Sequence, residues 1–403
     1  MDTVAASTQD IRRDNRRRVL ELLREREPVA RNEIARIAGL TEPAISRITR
    51  ELVDAHLIEE IAGNGDGERS KPGRPVVALR LCDQGAYVVG INVSADNQWA
   101  CIANMRGEIL AKRSFELPDI SDPQVVIAAG AKATRELVKT IGAARVRLMG
   151  VGVIVAGTVD PVTGELLESP NLGWPRMPLT SRMAAAFGLP VKLESRSMAL
   201  LRTEKRIGAA RALSNAALIL PALGIGGAVM IDGRLVRGRA NRAGQIGHLH
   251  MEGGNLRCTC GKLGCLDTVA SGRAILDRLA LVPHNARAPK HQIEHARLLE
   301  HAVALAASND AAAVEVLRSA GRQLGVALRA VAAVADPEAI FLAGAVGHAE
   351  SYLAGARETF ALDADIPLVP STISNDMAAI SLALEAFVYS RELDISRLRD
   401  AAA

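Results

Sequence analysis

The chain has 403 residues, enough for two or three domains that each bury a core, with 49% hydrophobic, 23% charged and only 2% aromatic residues. No apolar run approaches the roughly 20 residues needed to span a bilayer, and the start, MDTVAASTQDIRRDNRRR, carries no apolar signal segment, so a cytoplasmic protein without a membrane partner is expected. The net charge of +4 permits nucleic acid as a partner without arguing for it.

Val19, Leu20 and Leu23 make an apolar stripe on an otherwise charged helix from Asn15 to Arg26, and Pro28 ends it. The stretch RNEIARIAGL follows as a short helix with Ile34 and Ile37 inward and Gly39 at the turn. Ala30 stands where a capping hydroxyl would help that helix, a loss of about 1 kcal/mol. Thr41 is placed to cap a third helix, TEPAISRITRELVDAHLI, with Pro43 in its first turn. Ile45, Ile48 and Leu52 fall at i, i+3 and i+7, so Ser46, Arg47, Thr49 and Arg50 project from other faces. Next, IAGNGDGERSKPGRPVVAL reads as two strands around a turn-rich tip carrying Arg69, Lys71 and Arg74.

This order predicts a winged helix-turn-helix domain over residues 1–82. Its third helix would enter the major groove of double-stranded DNA, with Ser46, Arg47, Thr49 and Arg50 at base edges and Arg69, Lys71 and Arg74 of the wing at phosphates or the minor groove. Basic and acidic residues nearly balance in this region, so placement rather than bulk charge carries the argument.

From about Tyr87 strands and helices alternate. AYVVGINVSA, QWACIANMRGEILAKRSFEL and VRLMGVGVIVAGTVDP are strand-rich, and DPQVVIAAGAKATRELVKTIGAA is a helix between them. After Pro190 come the strand PVKLES, the helix MALLRTEKRIGAA and the strands of AALILPALGIGGAVMIDGRLV. Long helices, a buried strand AIFLAGAVG and a final helix NDMAAISLALEAFVY close the pattern. An α/β region of two lobes with a cleft between them is expected.

Three of the five cysteines, Cys258, Cys260 and Cys265, cluster in GHLHMEGGNLRCTCGKLGCLD, just after His248 and His250. In a reducing compartment such a cluster points to metal rather than disulfides, and Cys82 and Cys101 read as isolated core residues. Three thiolates and one imidazole fill the four positions of tetrahedral zinc and leave none for a catalytic water, so the site reads as structural.

The segment RAGQIGHLHMEGGNLRCTCGKLGCLDTVASGRAI closely resembles the signature of the ROK family of repressors and sugar kinases, and ESPNLGW and IFLAGAVG resemble further segments of it. A winged helix joined through KPGRP resembles the arrangement of the family's transcriptional regulators. The resemblance implies an actin-like, two-lobed sugar-kinase body behind the DNA-binding head. A small lobe would cover residues 83–190, with the helix at about 376–395 returning to it, and a larger lobe residues 191–375, with the zinc site and an oligomerisation surface. It selects His248 as the fourth ligand beside Cys258, Cys260 and Cys265, and His250 as the spare.

The resemblance also shows where this chain departs from the kinases. The first phosphate loop reads GINVSADN, with Ser94, Ala95 and Asp96 in place of Gly-Gly-Thr, and the second reads ALGIGG, with Leu223 in place of threonine. The general-base aspartate becomes Arg196 in ESRSMA, and a guanidinium cannot accept a proton at neutral pH. Phosphoryl transfer is therefore not expected. Matching the family's sugar ligands residue by residue gives Ser195, Arg196, Gln245, His248 and Asp267, with only the histidine kept; Asn171 is a further candidate. A buried Arg196 needs an anionic partner. Either a sugar acid or sugar phosphate supplies it, or Asp267 or Glu194 does so from within the protein; a neutral sugar and an empty pocket remain the other occupancies. The expected protein is a DNA-binding regulator without enzyme activity, most simply a repressor, acting as a homodimer or homotetramer on an inverted-repeat operator.

Overall fold

Three helices and a small sheet open the chain; the computed structural model describes residues 8–62, 77–115, 117, 119–142, 145–282, 291–361 and 365–399. Helix α1 spans Thr8–Arg26 and so begins ahead of its apolar stripe. Asp14 supports the added turns by pairing with Arg17 and Arg18, each at 3.2 Å, one helical turn away. Strand β1 (Val29–Ala30) leads into α2 (Arg31–Ala38), which Gly39 ends in the left-handed region, its N–H reaching the Ala35 carbonyl. Ile37 is exposed, contrary to expectation, and Ala35 takes the inward place beside Ile34. Helix α3 (Glu42–Asp54) buries Ile45, Ile48 and Leu52. Thr41 has the extended backbone of a cap, but its hydroxyl makes no capping bond. Strands β2 (Ile58–Ala62) and β3 (Val77–Leu81) complete an antiparallel sheet in the order β1-β3-β2.

The first lobe is built on β4 (Tyr87–Val93), β5 (Gln98–Asn104), β6 (Ile109–Ser114), β7 (Leu148–Val155) and β10 (Val191–Ser195), in the order β10-β7-β4-β5-β6. The hairpin β8 (Thr158–Asp160) and β9 (Glu165–Glu168) stands beside it. Because β10 pairs in parallel with β7, Val191–Ser195 belongs to this sheet, and the expected lobe boundary after residue 190 moves beyond Ser195. Strands β4, β5 and β7 are buried along their whole length, which explains their near-continuous apolar runs. Val89, Ile91 and Val93 face α4 (Pro123–Ile141) and α5 (Leu179–Phe187), while Val88 faces the opposite side.

Helix α6 (Arg196–Ile207) leaves the end of β10 and leads to the second sheet. That sheet has the order β13-β12-β11-β14-β15, from β11 (Ala216–Pro221), β12 (Ile225–Ile231), β13 (Arg234–Leu235), β14 (Ala339–Leu342) and β15 (Leu368–Pro370). Helices α7 (Asp267–Ala270), α8 (Gly272–Arg278), α9 (Gln292–Ala307), α10 (Ala311–Ala335), α11 (Gly344–His348) and α12 (Glu350–Phe360) accompany it. Helices α10 and α12 approach closely at Gly321, Gly325 and Gly355, where an added Cβ would strike the facing backbone. Helix α13 (Asn375–Phe387) then returns to the first sheet, so near to β7 that a side chain at Gly152 would run into the Ala379 carbonyl. A short α14 (Ser396–Arg399) follows. None of the described helices is long and apolar enough to cross a membrane.

Head and body share one apolar core, in which Leu20 and Leu23 of α1 join Tyr389, Leu393 and Leu398. Arg16 donates to the Leu393 carbonyl at 2.8 Å, and the Arg24 guanidinium lies 4.6 Å over the Tyr389 ring.

Candidate functional site

On the head, helix α3 turns Ser46, Arg47 and Arg50 to solvent. Thr49 does not join them: its side chain is fully buried and its hydroxyl donates to the Ser46 carbonyl at 3.3 Å. A residue one position after Ile48 is turned by about 100°, which here leaves it under the helix rather than on its open face. The base-reading set predicted from the sequence is thereby reduced to Ser46, Arg47 and Arg50. Arg69, Lys71 and Arg74 of the wing lie outside the described residues.

In the body, the loop after β13 brings His248, Cys258, Cys260 and Cys265 together with all four ligand atoms within 4.8 Å of one another. His248 Nδ1 is 3.7 Å from Cys258 Sγ, and Cys260 Sγ is 3.6 Å from Cys265 Sγ. Those spacings suit the edges of a tetrahedron with metal–sulfur bonds of about 2.3 Å and metal–nitrogen bonds of about 2.0 Å. Tight turns hold the thiols: the Cys258 N–H donates to the Lys262 carbonyl at 2.8 Å, and Gly261 and Gly264 sit at positive φ. Burial pushes the Cys265 thiol up to about 12 and raises Cys258 as well, so a cation is needed to hold these sulfurs as thiolates. Burial also lowers His248, which keeps its imidazole neutral as ligation requires. His250 is exposed, with Nδ1 3.2 Å from the Leu263 carbonyl, and stands outside the cluster.

The other face of His248 borders a cavity of about 180 Å³ between the lobes, which Asn171, Ser195, Arg196, Gln245 and Asp267 also line. The structure thus gathers all six predicted effector residues at one site. It corrects the predicted partners of Arg196. Glu194 is engaged by Arg237, one of whose nitrogens lies at 3.2 Å, by Arg202 at 4.0 Å and by the Ser195 N–H at 3.0 Å, and the Asp267 carboxylate accepts the Ile225 N–H at 2.7 Å. Arg196 instead donates from Nη1 to both oxygens of Asp96, at 2.7 and 2.9 Å. Burial alone would raise the Asp96 carboxyl, but the Arg196 charge and hydrogen bond, with help from Ser94, hold it below the ordinary carboxylate value. At Asp267 burial wins instead: it pushes the carboxyl up to about 7 against the lowering pull of the Ile225 N–H and the Arg273 charge.

Two further cavity residues escaped the sequence reading. Glu168, at the end of β9, accepts from Gln245 Nε2 at 3.0 Å and from Arg242 at 3.1 Å. Thr158 takes part in the same network, accepting from Gln245 at 3.0 Å. Burial pushes Glu168 up, yet these donors outweigh it and hold the carboxyl below its usual value. The signal was available, since Glu168 opens the ESPNLGW segment.

Residues 88–364 match the ROK family, and residues 12–59 match a winged helix-turn-helix DNA-binding family. The chain belongs to the ROK family. A xylose repressor of Caldicellulosiruptor bescii is 27% identical over 263 residues, a match that spans 65% of each chain. The DNA-binding transcriptional dual regulator NagC of Escherichia coli K12 is 26% identical over 375 residues, covering 91% of this chain and 90% of that one. The crystal structure of a ROK family transcriptional regulator, a homologue of the E. coli MLC protein, superposes with a TM-score of 0.77 at 27% identity and covers 97% of this chain and 100% of its own. A ROK glucokinase from Streptomyces griseus, solved with glucose and AMPPNP, matches with a TM-score of 0.62 at 25% identity over 74% of this chain and 98% of its own. The regulator match thus covers nearly the whole chain, and the kinase match about three quarters of it.

Proposed function

We propose that this ROK protein is a DNA-binding transcriptional regulator, a repressor of carbohydrate-related genes whose body senses a small hydroxylated effector and performs no phosphoryl transfer. The observation that carries the reading is α3: Ile45, Ile48 and Leu52 fix it in the head while Ser46, Arg47 and Arg50 stay free to meet base edges. Arg196 at the general-base position, tied to Asp96 where the kinases place a phosphate loop, supports the absence of catalysis. The four-donor cluster is read as a structural zinc site that fixes one wall of the effector cavity through His248. Symmetric assembly, as a homodimer or homotetramer, suits an inverted-repeat operator.

Selection of sites from random DNA at moderate salt tests the central claim, with a palindrome as the expected outcome; no enriched palindrome would sink it. Arg47→Ala should relax preference at its base pair by about 1–3 kcal/mol. Unchanged specificity in that variant would show that the reading face is placed wrongly. Incubation with ATP and a sugar panel should yield no sugar phosphate, and turnover above trace would overturn the non-enzymatic reading.

A further inference from the structure

Arg196 sits at the start of α6, where the helix opens onto the effector cavity, and its side chain is only 6% exposed. A buried guanidinium at a helix N-terminus is a ready receptor for a carboxylate or phosphate. Here the protein fills that position itself. Nη1 is held by both oxygens of Asp96, and Nε is sealed from solvent with no partner among the described residues. A two-pronged grip on an anion needs either Nε with one terminal nitrogen or both terminal nitrogens together. Burial closes the first edge and Asp96 occupies half of the second.

The surrounding charges oppose a further anion. With Arg196 and Asp96 paired, the described lining of the cavity offers no other lysine or arginine: its remaining ionisable side chains are Glu168, already held by Arg242, with Asp267 and His248. The pair also borders a second cavity of about 270 Å³, where Glu300 faces Asp96 closely enough for Asp96 to raise its carboxyl further after burial has done so. On neither side do the described lining residues give an incoming phosphate a lysine or arginine other than Arg196.

We propose that Asp96 is a built-in anion that determines effector specificity: by occupying Arg196 it makes the cavity select an uncharged, hydroxyl-rich ligand and reject sugar acids and sugar phosphates. This rests on the reading of the cavity as an effector site, and it removes two of the ligand classes that Arg196 suggests when read from the sequence alone. Ligand hydroxyls then fall to Glu168, Asn171, Gln245 and Asp267, whose side chains accept or donate hydrogen bonds.

The inference is tested on the full-length protein by thermal melting in sodium phosphate against sodium chloride of equal ionic strength, and with glucose 6-phosphate and gluconate as organic anions. The parent should show no stabilisation by any of the three. Asp96→Asn frees Arg196, so phosphate should raise its melting temperature by roughly 2 °C or more at saturating concentration, and Asp96→Asn combined with Arg196→Gln should lose that gain. Asp96→Ser serves the same purpose if the amide prevents folding. Stabilisation of the parent by phosphate, glucose 6-phosphate or gluconate that disappears in Arg196→Gln overturns the proposal, and so does an absence of gain in both Asp96 variants. The DNA selection experiment does not depend on Asp96. A parent that enriches a palindrome yet binds phosphate through Arg196 therefore refutes this inference alone, whereas one that enriches none and ignores phosphate refutes only the regulator reading.

Discussion

The four-donor cluster and the cavity beside it share His248, yet they are assembled by opposite means. The cluster takes every donor from one loop, and backbone bonds inside that loop, such as Cys258 N–H to the Lys262 carbonyl, set the spacing. The cavity's polar contacts join Asp96 to Arg196 across 100 residues and Glu168 to Gln245 across 77. A local ligand set is kept whole or lost, because no distant group can replace a missing sulfur. A cavity drawn from both lobes can move its charges around while every group stays satisfied: the carboxylate missing at Gln245 stands at Glu168, and the cation introduced at Arg196 meets Asp96.

The contrast predicts unequal responses to substitution. Cys258→Ser should have the largest effect, with loss of bound metal and a destabilisation above about 4 kcal/mol, read from metal content and a denaturant melt. A variant that keeps a full equivalent of zinc, or melts like the parent, would place the cluster among the tolerant features instead.

Arg196→Gln comes next. Removing one partner of a buried pair costs roughly 3–5 kcal/mol, and the value here should be nearer about 2 because the Asp96 side chain is 35% exposed. The same variant has a pH signature. Asp96 titrates lower in the folded chain than in the unfolded one, so the pair stabilises the fold fully above the unfolded carboxylate value of about 3.9 and loses that contribution as pH falls through the folded value. Arg196→Gln should flatten this acid limb, whereas Arg196→Lys should keep part of it. An acid limb identical in parent and Arg196→Gln would mean that the pair contributes nothing to stability.

Glu168→Gln should be the mildest, costing about 1 kcal/mol or less, since Gln245 and Thr158 can still bond an amide and Arg242 lies near the surface. A loss of several kcal/mol would show that the cavity is as intolerant as the metal loop and erase the distinction between them.

What the sequence disclosed follows the same division. The described part of the head was legible because each element carries its own signals: the stripe at Ile45, Ile48 and Leu52, the Gly39 stop, and the two strands that pair as Ile58–Ala62 and Val77–Leu81. Thr49 was misplaced because helical spacing gives an angle and not the neighbour that fills it. In the cysteine loop the three thiols were legible from spacing, whereas the choice of His248 over His250 came from the family resemblance. The lobe boundary was missed because Val191–Ser195 looks like any short strand until its parallel pairing with β7 assigns it to a sheet. Asp96 was noticed as a disrupted phosphate loop and Arg196 as a disrupted base, but nothing in their linear context marks them as partners. Only the topology that brings the turn after β4 to the start of α6 does so.

The seam between head and body carries a consequence for biosynthesis. Arg16 of α1 reaches the carbonyl of Leu393, 377 residues later in the chain, and Arg24 rests on Tyr389. Within the shared core, Ile34, Ile45, Ile48 and Leu52 come from the head itself, so the head can begin to collapse as it clears the ribosome, because domains emerging first fold first. The surface it rests on is not yet made. While the two lobes are being synthesised, α1 keeps open the flank that Tyr389, Leu393 and Leu398 will later cover, and α3 has no fixed orientation relative to the cavity. The part of the protein that is translated first is therefore the last to be positioned, and a nascent head would meet DNA without the restraint that its own body imposes.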